Sequence, residues 1–160
     1  MDKPRFVYVT YIRTTPEKLW HALTDPEFTR QFWVGSWQEC SWKKGASWKL
    51  MVPDERVINS GEVLEIDPAR KLVLSWKNHF KQELQGEGPS LMTYQLEPQE
   101  ELVKLTVIQE SDTPNSKLIQ NVSNGWPMIL ASLKSLLETG ESFVVTRTWP
   151  AGGACLSQRS

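Results

Sequence analysis

The sequence predicts an α+β fold in which an antiparallel sheet of about six strands curves around one long C-terminal helix, with two short helices after the first strand. Three observations lead there. Short segments rich in β-branched and aromatic residues alternate between residues 37 and 107, and they read as strands. Trp126, Ile129, Leu130, Leu133, Leu136 and Leu137 repeat at helical spacing, which makes one broad apolar stripe. A sheet with one apolar face has to be covered, and only that C-terminal helix is long enough to cover it.

The elements follow in order. Phe6 to Ile12 is β-branched and aromatic, a strand. A helix starts next in one of two registers: Thr15 as cap with Pro16 at the first helical position, or Thr14 with Glu17 as a capping box. Leu19, Trp20 and Leu23 form its buried stripe. Asp25-Pro26 restarts the pattern, with Phe28, Phe32 and Trp33 as the apolar face of a second short helix that Gly35 ends. Ser36 to Trp42 and Ser47 to Val52 then alternate around a turn at Lys44-Gly45-Ala46, which puts Trp48, Leu50 and Val52 on one face. Val57 to Ile66 is the next strand, with a bulge expected at Asn59-Ser60-Gly61. Asp67 to Arg70 turns the chain, and Leu72, Leu74 and Trp76 share a face beyond it.

Residues 78–90 are polar and carry Gly86 and Gly88-Pro89, a loop. Met92, Tyr94 and Leu96, then Val103, Leu105 and Val107, alternate on either side of Pro98 to Glu101; this is the clearest hairpin. Asp112 to Ser116 breaks the sheet. Helix begins near Lys117, with Gly125 a candidate interruption, and Gly140 stops it. Residues 1–143 read as a single domain and 144–160 as a flexible C-terminal tail. This order of elements is the helix-grip arrangement.

Composition narrows the function classes. A chain of 160 residues suits one domain. Its net charge of −1 provides no global field toward nucleic acid or an anionic membrane, and Lys43-Lys44 is too short for a basic patch. No run approaches the ~20 apolar residues of a membrane span, and Met1 to Phe6 has no apolar signal segment. Cys40 and Cys155 form neither a disulfide framework nor a zinc spacing, so a reduced, cytoplasmic setting is expected. Eight tryptophans are the compositional anomaly. Large core residues account for them, or several line a concave site.

Several landmarks together carry a resemblance. They are Thr14-Thr15-Pro16-Glu17-Lys18-Leu19-Trp20, Leu23-Thr24-Asp25-Pro26-Glu27, Gly61-Glu62-Val63-Leu64-Glu65-Ile66-Asp67-Pro68, Leu72-Val73-Leu74-Ser75-Trp76 and the late Gly125-Trp126. In this order the chain resembles the START-like (SRPBCC) superfamily, in its branch named for the activator of Hsp90 ATPase homologue 1, from about Val9 to Thr139. One departure is Gly45-Ala46, where the family commonly has two glycines. The resemblance implies a pocket between sheet and helix for a small hydrophobic molecule such as a lipid, a polyketide-like aromatic or a hormone. Some relatives are cyclases or hydrolases. The eukaryotic namesake engages its chaperone through an additional domain that this sequence lacks, which makes chaperone activation the least favoured reading.

Candidate chemistry is sparse. His21 and Glu17 are one helical turn apart, a spacing that can hold a metal; a solvated polar face explains them better, and neither metal nor cofactor is expected. His79 is a candidate general base at a loop, though a surface histidine is the simpler reading. No Ser-His-Asp order or nucleophile elbow is present, and Gly86-Glu87-Gly88 precedes a proline and a strand rather than a helix. Pocket-lining residues are the better candidates for a ligand site: Trp48, Trp76, Met92, Tyr94, Leu105 and Val107 from the sheet, with Trp126, Ile129, Leu130 and Leu133 from the helix. Leu50 points the same way, and Gln109 and Glu110 are candidate polar contacts. Ordinary core packing competes with that reading, and the ligand site needs a cavity of roughly 300–1,000 Å³. Three functions remain in order: a non-catalytic binder of a small apolar molecule, monomeric or weakly dimeric; a cyclase- or hydrolase-type enzyme using His79 or Glu110; and a protein-interaction domain presenting Trp37, Trp42 or Trp149.

Overall fold

The computed structural model describes residues 3–81, 84 and 86–149. Its strands are β1 (Arg5–Ile12), β2 (Trp37–Glu39), β3 (Ser47–Met51), β4 (Val57–Asp67), β5 (Lys71–Asn78), β6 (Ser90–Gln99) and β7 (Leu102–Glu110). Its helices are α1 (Pro16–Thr24), α2 (Pro26–Phe32) and α3 (Lys117–Thr139), followed by a 3-10 turn at Val144–Thr146. The strands form one antiparallel sheet in the order β1-β7-β6-β5-β4-β3-β2. That is seven strands where about six were expected. The sheet curves around α3, as the apolar faces demanded.

Local chemistry explains the entry to the fold. Thr15 Oγ1 accepts from the Lys18 N–H at 3.2 Å, and Pro16 occupies the first turn of α1, which selects the Thr15 register. Asp25 then serves two helices. Its N–H donates to the His21 carbonyl at 2.8 Å, closing α1. Its Oδ1 accepts from the Glu27 N–H at 2.8 Å, opening α2.

The β6–β7 hairpin pairs Met92 with Gln109, Tyr94 with Val107 and Leu96 with Leu105, so one apolar face points inward as the alternation predicts. β4 is irregular twice. Against β3 the pairing steps from Leu50–Asn59 to Met51–Val57, leaving Ile58 over beside the expected Asn59-Ser60-Gly61, and against β5 it steps from Val63–Leu74 to Glu65–Val73, leaving Leu64 over.

Helix α3 is continuous through Gly125. Its start is held by Ser116 Oγ, which accepts from the Ile119 N–H at 3.2 Å. Glu87, from the β5–β6 connection, adds a carboxylate there: it accepts from Ser116 Oγ at 2.6 Å and from the Lys117 N–H at 2.8 Å. A negative charge suits the positive end of a helix, so this contact ties the loop to α3. Pro127 lies within the helix and donates no hydrogen bond to the preceding turn. Gly140 ends it in the left-handed region at φ 88°.

Residues 144–149, expected in the tail, lie against the domain. The Phe143 N–H donates to Ser132 Oγ at 2.8 Å, and Thr146 Oγ1 donates to the Gln31 carbonyl at 3.0 Å. Thr146 is fully buried. The chain crosses Gly35 so closely that a Cβ there would come 3.1 Å from the Trp149 nitrogen, and Gly35 has φ 74°; the site suits glycine on both counts. Residues 150–160, with Cys155, lie outside the described residues.

Candidate functional site

Four tryptophans meet inside the curve. Trp33 follows α2, Trp48 is on β3, Trp76 on β5 and Trp126 on α3, and all are buried. Trp76 is the centre: its ring lies 4.8 Å from Trp48, 6.0 Å from Trp33 and 6.0 Å from Trp126. Trp33 and Trp126 are 5.2 Å apart. These offset and tilted arrangements are those aromatic quadrupoles favour.

Buried indoles need acceptors, and two buried glutamines provide them. Trp48 Nε1 donates to Gln38 Oε1 at 2.9 Å, and Gln38 Nε2 donates to the Leu23 carbonyl at 2.6 Å. Trp126 Nε1 donates to Gln109 Oε1 at 3.0 Å; Gln109 Nε2 donates to Ser90 Oγ at 3.1 Å, which donates to the Trp76 carbonyl at 3.2 Å. Gln109, anticipated as a ligand contact, is therefore engaged with Trp126. Trp76 Nε1, Tyr94 Oη and Trp149 Nε1 are buried with no hydrogen-bond partner among the described residues.

Beside this cluster is a cavity of about 100 Å³, partly open to solvent. Trp33, Trp76 and Trp126 form its aromatic side. Leu118, Val122, Gly125 and Ile129 border it from α3, spaced so that they lie on one face of the helix. Leu50 and Ile58 add apolar surface from the sheet, and Phe80, Leu84 and Trp149 from the connecting segments. Phe80 and Trp149 meet edge to face at 5.3 Å. The polar border consists of Asn59, Asn78, Lys81 and Asn121.

Of the ten anticipated lining residues, Trp76, Trp126 and Ile129 border this cavity. Trp48 packs on Trp76, and Tyr94 meets Trp126 edge to face at 6.1 Å. Met92, Leu105, Val107, Leu130 and Leu133 are fully buried in the solid core. The cavity lies toward the first half of α3 and the β4–β5 side, so side chains from β6, β7 and later helical turns fill space without bordering it. Sequence reading missed Trp33, Val34, Ile58, Asn59, Asn78, Phe80, Lys81, Leu84, Asn121 and Trp149 as border residues. It also missed the Leu118-Val122-Gly125-Ile129 stripe, whose helical spacing was a usable signal.

The anticipated titratable candidates lie elsewhere. His79 is exposed, with Nε2 2.5 Å from Ser60 Oγ. Glu110 sits at the end of β7 opposite Arg5 and Leu91. His21 Nε2 is 3.5 Å from Asp25 Oδ2, and its ring meets Phe28 edge to face. Among the described residues, no group of three or more His, Cys, Asp and Glu side chains is placed to hold a metal ion. No helix among them is long and apolar enough to cross a membrane.

Complete burial pushes the Tyr94 phenol well above its ordinary range, because ionising it would strand a charge in apolar surroundings. The unfolded phenol ionises near pH 10 while the folded one keeps its proton. Its contribution is thus fully present below about pH 10 and is lost as pH rises further. By pH 11 the loss from this group should reach about 1–1.5 kcal/mol. Urea unfolding of wild type and Tyr94→Phe at pH 8 and pH 11 tests this. The variant should lose less stability on going alkaline, and an identical loss would contradict the assignment.

The family model described as activator of Hsp90 ATPase homolog 1-like protein matches residues 13–138. CalU16 from Micromonospora echinospora superposes with a TM-score of 0.70 at 18% identity, over 97% of this chain and 82% of its own. The Aha1 dimer from Colwellia psychrerythraea gives 0.69 at 18% identity, over 86% of this chain and 98% of its own. An HSP90 activator from Plasmodium falciparum gives 0.67 at 23% identity, over 83% and 95%. At these identities the likeness establishes the shared helix-grip fold. No curated protein sequence matches the chain.

Proposed function

The chain belongs to the activator of Hsp90 ATPase homolog 1-like family, and from that premise we propose that it binds a small aromatic or apolar molecule between α3 and the β4–β5 side of the sheet. The observation that carries this reading is the cavity beside three indoles. Small-molecule sites are concave and mostly apolar, with a few placed polar groups, and this border has that character. Its volume decides the size class. About 100 Å³ falls below the range for drug-sized ligands. An apolar cavity of roughly 150 Å³ holds benzene. This cavity is smaller but partly open to solvent, so one ring or a short chain would project from its mouth, and a whole lipid or a polycyclic molecule would not be enclosed.

Trp33, Trp76 and Trp126 make intrinsic fluorescence a direct reporter. Titration with single-ring and short-chain apolar compounds should produce saturable fluorescence changes, with amide shifts at Trp76, Val122 and Trp126. Val122 is only half-buried and borders the cavity, so Val122→Phe should plug it at a cost near 1 kcal/mol, the low end for added bulk. Binding should weaken at least about tenfold, equivalent to 1.4 kcal/mol. Unchanged affinity in that variant would remove the cavity as the site. Shifts confined to the outer face of β1, where Val7, Val9 and Tyr11 are nearly half exposed, would instead favour a protein partner, in keeping with the chaperone-directed relatives.

A further inference from the structure

The residues around the cavity are not held with equal firmness. Phe80 and Trp149 meet edge to face on its border. The Phe80 N–H is fixed to Asn78 Oδ1 at 2.9 Å. The segment that carries Trp149 is fixed only part of the way. Thr146 anchors it, 2.7 Å from Ser132 Oγ and 3.0 Å from the Gln31 carbonyl. Arg147 folds back on Ser142, with Nη2 donating to the Ser142 carbonyl at 2.6 Å. Past Arg147 packing takes over. No hydrogen bond among the described residues fixes Thr148 or Trp149.

This places opposing terms on one side chain. Trp149 gains contact with Phe80, but its Nε1 is buried without an acceptor among the described residues, and an unmade buried hydrogen bond is costly. Swinging the side chain outward returns that N–H to water while Thr146 keeps its bonds. Arg147 and Thr148 are both exposed, so the chain can turn there without opening the core. Trp126 is the contrast: its N–H is paired with Gln109, and it sits within α3.

Size points the same way. The cavity of about 100 Å³ is small for a ligand site, whose range starts at roughly 300 Å³. Withdrawing the indole frees at least a ring-sized space, on the order of 150 Å³, next to the existing one. The enlarged space approaches the lower end of that range.

We propose that Trp149 is a movable plug in the ligand site, and that the molecule displacing it is an apolar compound of two rings. This rests on the cavity reading above and adds the size class of the enclosed occupant. One ring lies beside Trp33, Trp76 and Trp126, and the second takes the place of the Trp149 indole against Phe80.

The test titrates benzyl alcohol and naphthylmethanol, which differ by one ring, into the full chain. Amide shifts and water exchange of the Trp149 indole N–H are followed. Both probes should shift Trp76 and Trp126. Only naphthylmethanol should shift Thr148 and Trp149 and speed exchange of that indole proton. Trp149→Ala should bind naphthylmethanol about tenfold or more tighter than wild type, because a seated state holding ~90% or more of the population no longer competes. Its affinity for benzyl alcohol should change by less than about threefold. If that variant does not fold, Trp149→Leu takes its place, and the wild-type shift pattern stands as a test without either. Naphthylmethanol binding that leaves Thr148 and Trp149 undisturbed, or that weakens in the variant, makes Trp149 a fixed wall and overturns the plug while the cavity remains. If neither probe disturbs Trp76 or Trp126, the cavity reading itself falls.

Discussion

Trp126→Ala is expected to lose about 4–5 kcal/mol of stability. Truncating a buried Trp costs roughly 3–5 kcal/mol through lost transfer energy and the void it leaves. Here the indole also satisfies Gln109 Oε1, and an unpaired buried carbonyl adds about 1 kcal/mol or more. The void would join a cavity partly open to solvent, so water can reach the freed carbonyl, which keeps the sum from rising further. Domains have only about 5–15 kcal/mol in total, and the melting temperature should fall by roughly 10–15 °C. Conservative changes separate packing from hydrogen bonding. Trp126→Phe keeps most of the ring but strands Gln109, whereas Trp76→Phe removes an N–H that has no partner among the described residues. The Trp76 change should be the milder by about 1 kcal/mol. Equal costs in urea unfolding would show that the Gln109 contact contributes nothing.

That chain of contacts marks the boundary of what the sequence discloses. The inward faces of β6 and β7 were legible because a period of two fixes a side chain's face whatever its partner is. The joint at Asp25 was legible for a similar reason: a cap acts on its own neighbours within three residues. Gln38 and Gln109 carry no such local signature. Their role as indole acceptors depends on which elements become adjacent, at separations of 10 and 17 residues from their tryptophans.

The candidate site divides the same way. Alternation tells which residues point inward, and Met92, Tyr94, Leu105 and Val107 do so. It does not tell which inward residues leave space between them, because a void depends on how side chains of unequal length meet across the curve. The far rim comes from Phe80, Lys81 and Leu84, in a connection without periodicity, and from Trp149, beyond the last predicted helix. Gly125 illustrates the ambiguity. In sequence it looked like a break in a helix, yet α3 runs through it and Gly125 borders the cavity.

A second glycine supports the sheet side of that site, and Gly61→Ala is expected to cost about 3–4 kcal/mol, above the usual 1–3 kcal/mol for overpacking. A Cβ on Gly61 would stand 1.7 Å from the Ser75 carbonyl oxygen and 2.6 Å from its carbon. Those are backbone atoms of β5, so no rotamer change relieves the clash and the two strands must move apart. The movement would also disturb the bond from the Glu62 N–H to Ser75 Oγ, now 2.9 Å. Gly86 and Gly88 are the controls: a Cβ at either meets nothing within 4 Å, so alanine there should stay within about 0.5 kcal/mol. Urea midpoints for the three variants decide the matter, and a Gly61→Ala loss below about 1 kcal/mol would mean the strands are not so tightly apposed. The same displacement reaches the cavity, because Ser75 precedes Trp76 and β5 continues to Asn78. A Gly61→Ala protein that still folds should therefore bind aromatic probes less tightly than wild type, although the substituted residue does not border the cavity.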